Sequence, residues 1–419
     1  MKRVFHLIPL IMAPLMMNGL PTQPIKAQET EQNSAHWGDP NADYVSSAWP
    51  IEDGSDLLDI REVPVLDGGF FEVAPEDRGG GIAVGELGVN GGDRQLILEL
   101  AKELIRGQHG AVDSLLISYQ GKLLFESYYQ RGRANLSHPQ ASATKTYTSL
   151  ALGRAIQLGF LTMDDLHKPV ISFLEEIDTS DLVEGAEKVT LHQALTMRSG
   201  IRIEDEKAEE FERSRDLIDG QKLVQSILEQ SDPITDELLA EFAYGNYSSM
   251  IVMQVIDAVV PGGAENFIKT ELLQKMGIAG YEWRIGLGGL PAGGWKSSFT
   301  SRDMLKFGTL AMSKGQWNGE QLIPEAYISK ATSRILYNGD DRIFGGGKDV
   351  SGQGYGYFWW SGDLKVGDKT YFATSAQGGG GQFIILIEEL DLVVVTTAGM
   401  REPTALQLAA ERIVPAFVD

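Results

Sequence analysis

Apolar runs with the pattern of strands lie near both ends of this chain, and the stretch between them repeats with a helical period. Residues 114–119 and 123–129 read as two strands split by Gln120-Gly121-Lys122, a hairpin. Far downstream, 383–387 and 392–397 read as a second pair, with Glu388, Glu389, Leu390 and Asp391 in the turn. From about 143 to 280 the pattern is mostly helical, at 144–158, 191–197, 209–230 and 248–259. The expected fold class is therefore α/β (α+β): an antiparallel sheet flanked by helices and interrupted by a mostly helical domain. The expected boundaries are 93–150 with 283–419 for the α/β domain, and 151–282 for the helical insert. A helix at 93–107, with Leu96, Leu98, Leu100, Ala101, Leu104 and Ile105 on its stripe, and a second at about 403–414 complete the α/β part. Residues 28–92, rich in Gly, Pro, Asp and Asn, read as an irregular arm packed on the body.

Composition narrows the chemistry. Formal net charge is -22, a field that repels phosphate and disfavours nucleic acid or an anionic membrane as partner. No cysteine is present, which excludes disulfides, thiolate metal sites and a cysteine nucleophile. The six histidines (His6, His36, His109, His138, His167, His192) all lie in the N-terminal half. A hydrolytic mechanism here is expected to use a lysine or tyrosinate as base rather than imidazole. No metal or organic cofactor is indicated.

The first residues read as a targeting segment. Lys2 and Arg3 precede an apolar run at 4–17, and small and polar residues follow up to Ala27, the expected cleavage point. An uncleaved anchor is the alternative, but the run is shorter than the roughly 20 residues a span requires. The mature protein is expected to be secreted or periplasmic.

Three short segments carry candidate chemistry. Ser142-Ala143-Thr144-Lys145 opens the first long helical run and is the only Ser-x-x-Lys in the chain. Positions i and i+3 share a helix face, so the serine hydroxyl and the lysine amine are neighbours. A serine at a helix start also meets unpaired N–H groups and the positive dipole end, which favour an oxyanion. The plain alternative is an N-cap serine with a surface lysine. Tyr244-Gly245-Asn246 is the only Tyr-x-Asn. Its phenolate is a candidate general base and its amide a candidate substrate contact, against a turn asparagine beside a packing tyrosine. Gln377-Gly378-Gly379-Gly380-Gly381-Gln382 runs into a strand, and its glycines would let a substrate approach the backbone closely. A phosphate loop fails there, because no Lys-Ser/Thr follows and no helix begins.

In this order and spacing the three segments resemble the motifs of the serine β-lactamase and penicillin-binding superfamily, in its class C-like branch. The likeness extends to Gly159-Phe160-Leu161-Thr162-Met163-Asp164-Asp165, to 189–200 with its Leu195-Thr196-Met197-Arg198-Ser199-Gly200, and to 301–308. It covers roughly 112–415 and is nearest to the 6-aminohexanoate-dimer hydrolase-like and esterase-type members.

The resemblance implies a β-lactamase-like fold and a hydrolase acting on a small-molecule ester or amide, which the targeting segment would make an exported one. Ser142 would be the acylated nucleophile, Lys145 its activator, Tyr244 the proton shuttle and Asn246 a substrate contact. Gly380, Gly381 and Gln382 would border the oxyanion, with Gln382 supplying an N–H. One departure is visible: where relatives carry Lys or His in the third motif, this chain has glycine. That cation helps hold the carboxylate of β-lactams and peptidoglycan peptides, so its absence counts against those substrates. A penicillin-binding protein or β-lactamase, and a binding protein without catalysis, remain the alternative expectations.

Overall fold

The computed structural model describes residues 34–36, 63–207, 209, 218–340 and 343–418. The expected targeting segment with its cut after Ala27, and most of the expected arm up to residue 62, lie outside the described residues.

Among the described residues, eleven strands make the main sheet. They are β1 (Ser34–His36), β2 (Gly69–Glu72), β3 (Ala83–Val84), β4 (Val112–Tyr119), β5 (Lys122–Tyr129), β6 (Leu336–Gly339), β7 (Val350–Tyr355), β8 (Trp360–Val366), β9 (Lys369–Gly378), β10 (Gln382–Ile387) and β11 (Leu392–Ala398). Their spatial order is β1-β2-β5-β4-β11-β10-β9-β8-β7-β6, antiparallel throughout, with the short β3 running parallel to β5. The two expected hairpins meet where β11 pairs β4, from Leu392↔Tyr119 to Ala398↔Val112. The two ends of the chain thus build the middle of one sheet.

The central strands are apolar on both faces because both faces are covered. Leu115, Ile117, Phe383, Ile385, Leu392 and Val394 turn to one side, where α1 (Arg94–Ile105) and the C-terminal turns of 405–417 pack. Leu116, Ile384, Leu386, Val393 and Val395 turn to the other, in the larger core that includes α2 (Thr144–Gln157). That core continues through α3 (Leu191–Leu195), α4 (Lys222–Gln230), α5 (Asp236–Ala240), α6 (Tyr247–Val259), α7 (Ser301–Met312) and α8 (Glu325–Ala331). Asp93 caps α1, its carboxylate accepting from the N–H groups of Gln95 and Leu96 at 2.8 and 3.1 Å. At the start of α7, Arg302 is bound to the fully buried Glu126 of β5, which also accepts from Tyr128 at 2.5 Å. Among the described residues no single helix is long and apolar enough to cross a membrane.

Three expectations are corrected. Part of the supposed irregular arm is sheet: Gly69–Glu72 pairs with β5 from Gly69↔Tyr129 to Glu72↔Glu126. Four residues between glycine and polar segments are too short to show a period. The expected helix at 209–230 is not continuous: 209 is helical, 210–217 lie outside the described residues, and after Asp219 bridges to Gly288 a separate helix runs over Lys222–Gln230. The expected single helix at 403–414 is α9 (Ala405–Leu408) followed by a wider π turn at Ala409–Ile413.

Candidate active site

The turn that carries Ser142 is held from several sides. His138–Pro139 pairs with Ser297–Phe299, and the Gln140 N–H donates to the Ser297 carbonyl at 2.8 Å. The Gln140 side chain donates to the His138 carbonyl and accepts from Tyr147, both at 2.7 Å, and Tyr147 is stacked on Phe307. Ala141 is forced into the left-handed region at φ 47°, a conformation that for a non-glycine residue persists only where surroundings over-determine it. A 3-10 turn over Ala141–Ala143 then feeds directly into α2. Ser142 is thus half-buried on a rigid turn at a helix start, where backbone N–H groups lack intrahelical partners.

Lys145, on the first turn of α2, is 1% exposed. Its amine donates to Asn246 Oδ1 at 2.8 Å and to the Gly294 carbonyl at 3.2 Å, and stands 4.9 Å from the centre of the Tyr244 ring. Among the described residues no carboxylate pairs with it. Burial without a counter-charge lowers its pKa from the ordinary 10.5 to about 7. Tyr244 stands near Ser142, and although its ring is partly exposed, loss of water around the hydroxyl raises its pKa to about 12, which the Ser142 hydroxyl only moderates. At neutral pH the tyrosine is therefore a neutral phenol, and the lysine is the group poised to accept a proton. The phenolate base that the sequence left open is thereby disfavoured.

Ser142, Lys145, Tyr244 and Asn246 come together as expected; the third motif arrives in a shifted register. Gly378 ends β9, and a Cβ built there would stand 2.1 Å from the Gln140 carbonyl oxygen; at Gly379 the nearest atom is the Ala141 Cβ at 3.9 Å. Gly380 and Gly381, at φ 95° and 110°, form the hairpin turn and pack on Ala398. Gln382 opens β10 and directs its side-chain amide to the Ala398 carbonyl at 2.8 Å. The residues nearest the Ser142 turn are thus Gly378 and Gly379 rather than Gly380, Gly381 and Gln382. The cause is topological: β8 pairs with β9 only as far as Trp360↔Ser375, so Ala376, Gln377 and Gly378 form the free edge facing the turn.

One feature has no counterpart among the expected residues. A second is only partly foreseen, by the reading of Trp295, Trp359 and Trp360 as lining for an aryl or alkyl pocket or as core, of which Trp359 is fully buried. Gly294 supplies the carbonyl under the lysine, and a Cβ there would meet Ser249 Oγ at 2.5 Å, Asn246 Oδ1 at 3.1 Å and Lys145 Nζ at 3.2 Å. The pair Gly293-Gly294 after Pro291-Ala292 was its only signal. The second is an aromatic wall: Trp360 lies 5.2 Å from the Tyr244 ring and 4.7 Å from Tyr355, with Phe242 5.2 Å from Tyr355. Trp295 lies apart from that wall, part-buried beside Lys296.

Several solved structures share this fold. A Bacillus anthracis protein provisionally named a 6-aminohexanoate-dimer hydrolase aligns over 75% of this chain and 79% of its own, with a TM-score of 0.54 and 16% identity. An octameric penicillin-binding protein homologue from Pyrococcus abyssi aligns over 77% of each chain, with a TM-score of 0.55 and 18% identity. A D-stereospecific amidohydrolase from a Streptomyces species covers 76% of this chain and 98% of its own, with a TM-score of 0.53 and 14% identity. At these identities the likeness concerns the fold. No curated protein sequence matches the chain. The family model described as Beta-lactamase matches residues 99–414, three quarters of the chain and all of the residues just assembled. The chain belongs to the Beta-lactamase family, a family of serine hydrolases.

Proposed function

We propose that this protein hydrolyses ester or amide bonds through an acyl-enzyme on Ser142. The observation that carries the reading is Lys145: a buried amine with no carboxylate partner, its pKa lowered to about 7, one helical turn from Ser142 and beside the Tyr244 ring. In the first step the Ser142 oxygen bonds to the substrate carbonyl carbon and its proton passes to the neutral Lys145. The N–H groups at the start of α2 and along the free edge of β9 stabilise the oxyanion. As the carbonyl–leaving-group bond breaks, Tyr244 relays the proton to the departing alcohol or amine. Water repeats the sequence on the acyl-enzyme and releases the acid.

Tyr244→Phe tests the relay. It retains the ring that packs on Trp360 and removes only the hydroxyl, so kcat is expected to fall about 10²-fold with KM little changed. Unchanged turnover of p-nitrophenyl esters by that variant would assign the relay elsewhere. Gly294→Ala tests the support of the lysine: its methyl displaces Ser249, Asn246 or Lys145, and a loss of about tenfold in kcat/KM is expected. Circular dichroism should show the variant folded.

A carboxylate-bearing β-lactam or D-alanyl peptide is a poorer fit, because the edge beside Ser142 presents Gly378 and Gly379 where a cation would hold the carboxylate. Fluorescent penicillin is accordingly expected to label the protein weakly, and rapid stoichiometric labelling would favour the penicillin-binding reading. Export is part of the same proposal and rests on the basic, apolar and small-residue order of residues 1–27. The mature N-terminus of protein recovered from the periplasm or medium is expected at Gln28, and an intact Met1 there would refute cleavage.

A further inference from the structure

A second concave site lies away from the serine, between α3, α5 and the 3-10 turn at Asp164–His167. It is an open depression of about 420 Å³ whose lining includes His167, Thr190, His192, Gln193, Arg198 and Asp236. Its charge is unusual for a chain of net charge -22. Arg198 is part-buried, and among the described residues no carboxylate pairs with it; its guanidinium instead donates to Thr196 Oγ1 at 3.3 Å and to His192 Nε2 at 3.1 Å. The His192 ring lies 5.2 Å from that of His167. Lys330 of α8 is close enough to act electrostatically on His192 and, among the described residues, also has no acid partner. Asp236, the acid in the lining, is already bound to Lys188 at 2.9 Å.

We propose that this depression binds a small multivalent oxyanion, of the phosphate or phosphate-monoester class. Arg198 and Lys330 bring two positive charges to a depression whose lining acid, Asp236, is already bound to Lys188, and a bound dianion would neutralise them. The hydrogen bonds show how. Because Arg198 donates to Nε2, His192 carries its proton on Nδ1 and donates from there to the Tyr357 hydroxyl at 2.9 Å. The unliganded ring is thus neutral, with its lone pair covered by the guanidinium. Burial, Arg198, His167 and Lys330 together lower its pKa to about 4. An oxyanion seated between the two side chains accepts from Arg198 and from a protonated Nε2, so binding takes up a proton. The Gln193 amide Nε2 has no partner among the described residues, since only its Oε1 is used, by Thr190, and supplies a further donor.

The site is tied to the catalytic loop without sharing its residues. The Met197 carbonyl accepts from the Ala243 N–H at 2.8 Å, and Ser248 donates to Ser199 at 3.1 Å. Arg198 therefore lies on a segment fastened directly to both flanks of Tyr244-Gly245-Asn246.

The test is calorimetry on the whole protein with sodium sulfate at constant ionic strength, because sulfate keeps its charge from pH 5 to 8. One saturable site is expected, at least about tenfold tighter at pH 5.5 than at pH 7.5, with proton uptake seen as a buffer-dependent heat. Arg198→Gln should weaken it at least about tenfold, and Lys330→Gln, an exposed change that leaves the fold intact, by about threefold. Inorganic phosphate and phenyl phosphate titrated at pH 7.5 separate the free ion from the monoester as ligand. No saturation below about 50 mM, affinity indifferent to pH, or equal binding by wild type and Lys330→Gln with Arg198→Gln would each overturn the proposal.

Discussion

Ser142→Ala is expected to lower ester or amide turnover by about 10³-fold or more while leaving the melting temperature nearly unchanged. The two halves of this expectation come from different parts of the structure. The turn is held by Gln140, Tyr147 and Ser297, and the left-handed Ala141 precedes the serine, so the backbone keeps its shape when the hydroxyl is removed. The side chain is only half-buried, so its loss costs about one hydrogen bond, roughly 1 kcal/mol. What disappears is the atom that becomes acylated. Steady-state rates with p-nitrophenyl esters, read beside thermal melts, check both halves. A variant that keeps its turnover would show that the chemistry runs through another group.

Lys145→Met comes second in size, with an expected loss of about 10² to 10⁴-fold in kcat/KM. Its pH dependence is more specific than its magnitude. Wild-type kcat/KM should rise with pH through about 7, where the amine becomes neutral, and level off above; with the phenol of Tyr244 near 12, no second ionisation of the pair intrudes below pH 10. The residual activity of Lys145→Met should lack that limb. Stability reports the same shift independently. The folded pKa lies below the unfolded value of 10.5, so between about pH 7 and 10.5 the unfolded chain binds more protons and stability rises with pH. Replacing the lysine by methionine is expected to flatten that slope in denaturant titrations. An unaltered slope would mean that the amine is not the buried base described.

Much of this architecture is written in residue pattern. The strands 112–129 and 382–398 show because both faces are buried, which makes their apolar runs long and nearly unbroken. The serine and lysine show because both lie on one helix, where spacing alone makes them neighbours. Four consecutive glycines offer no such guide. With no side chain to alternate, nothing in Gly378–Gly381 marks where strand becomes turn, and the expected oxyanion residues came out displaced toward Gln382. The carbonyl of Gly294 has no side-chain signature at all. The aromatic wall joins Phe242 and Tyr244 to Tyr355 and Trp360 across more than a hundred positions, and only the packing of β7 and β8 against the loop before α6 makes it one surface. Gly69–Glu72 was hidden for a simpler reason: its strand character comes from the partner β5 rather than from its own four residues.

The central claim, that one hydroxyl on the turn before α2 forms a covalent acyl intermediate, is tested most directly by intact-protein mass spectrometry. The protein is incubated with a fluorophosphonate and with a slowly hydrolysed activated ester, then digested to locate the added mass. One adduct per chain, on the peptide containing Ser142 and absent from Ser142→Ala, is the predicted result. An adduct on any other residue, or ester turnover by a protein whose Ser142 is never modified, would contradict the mechanism.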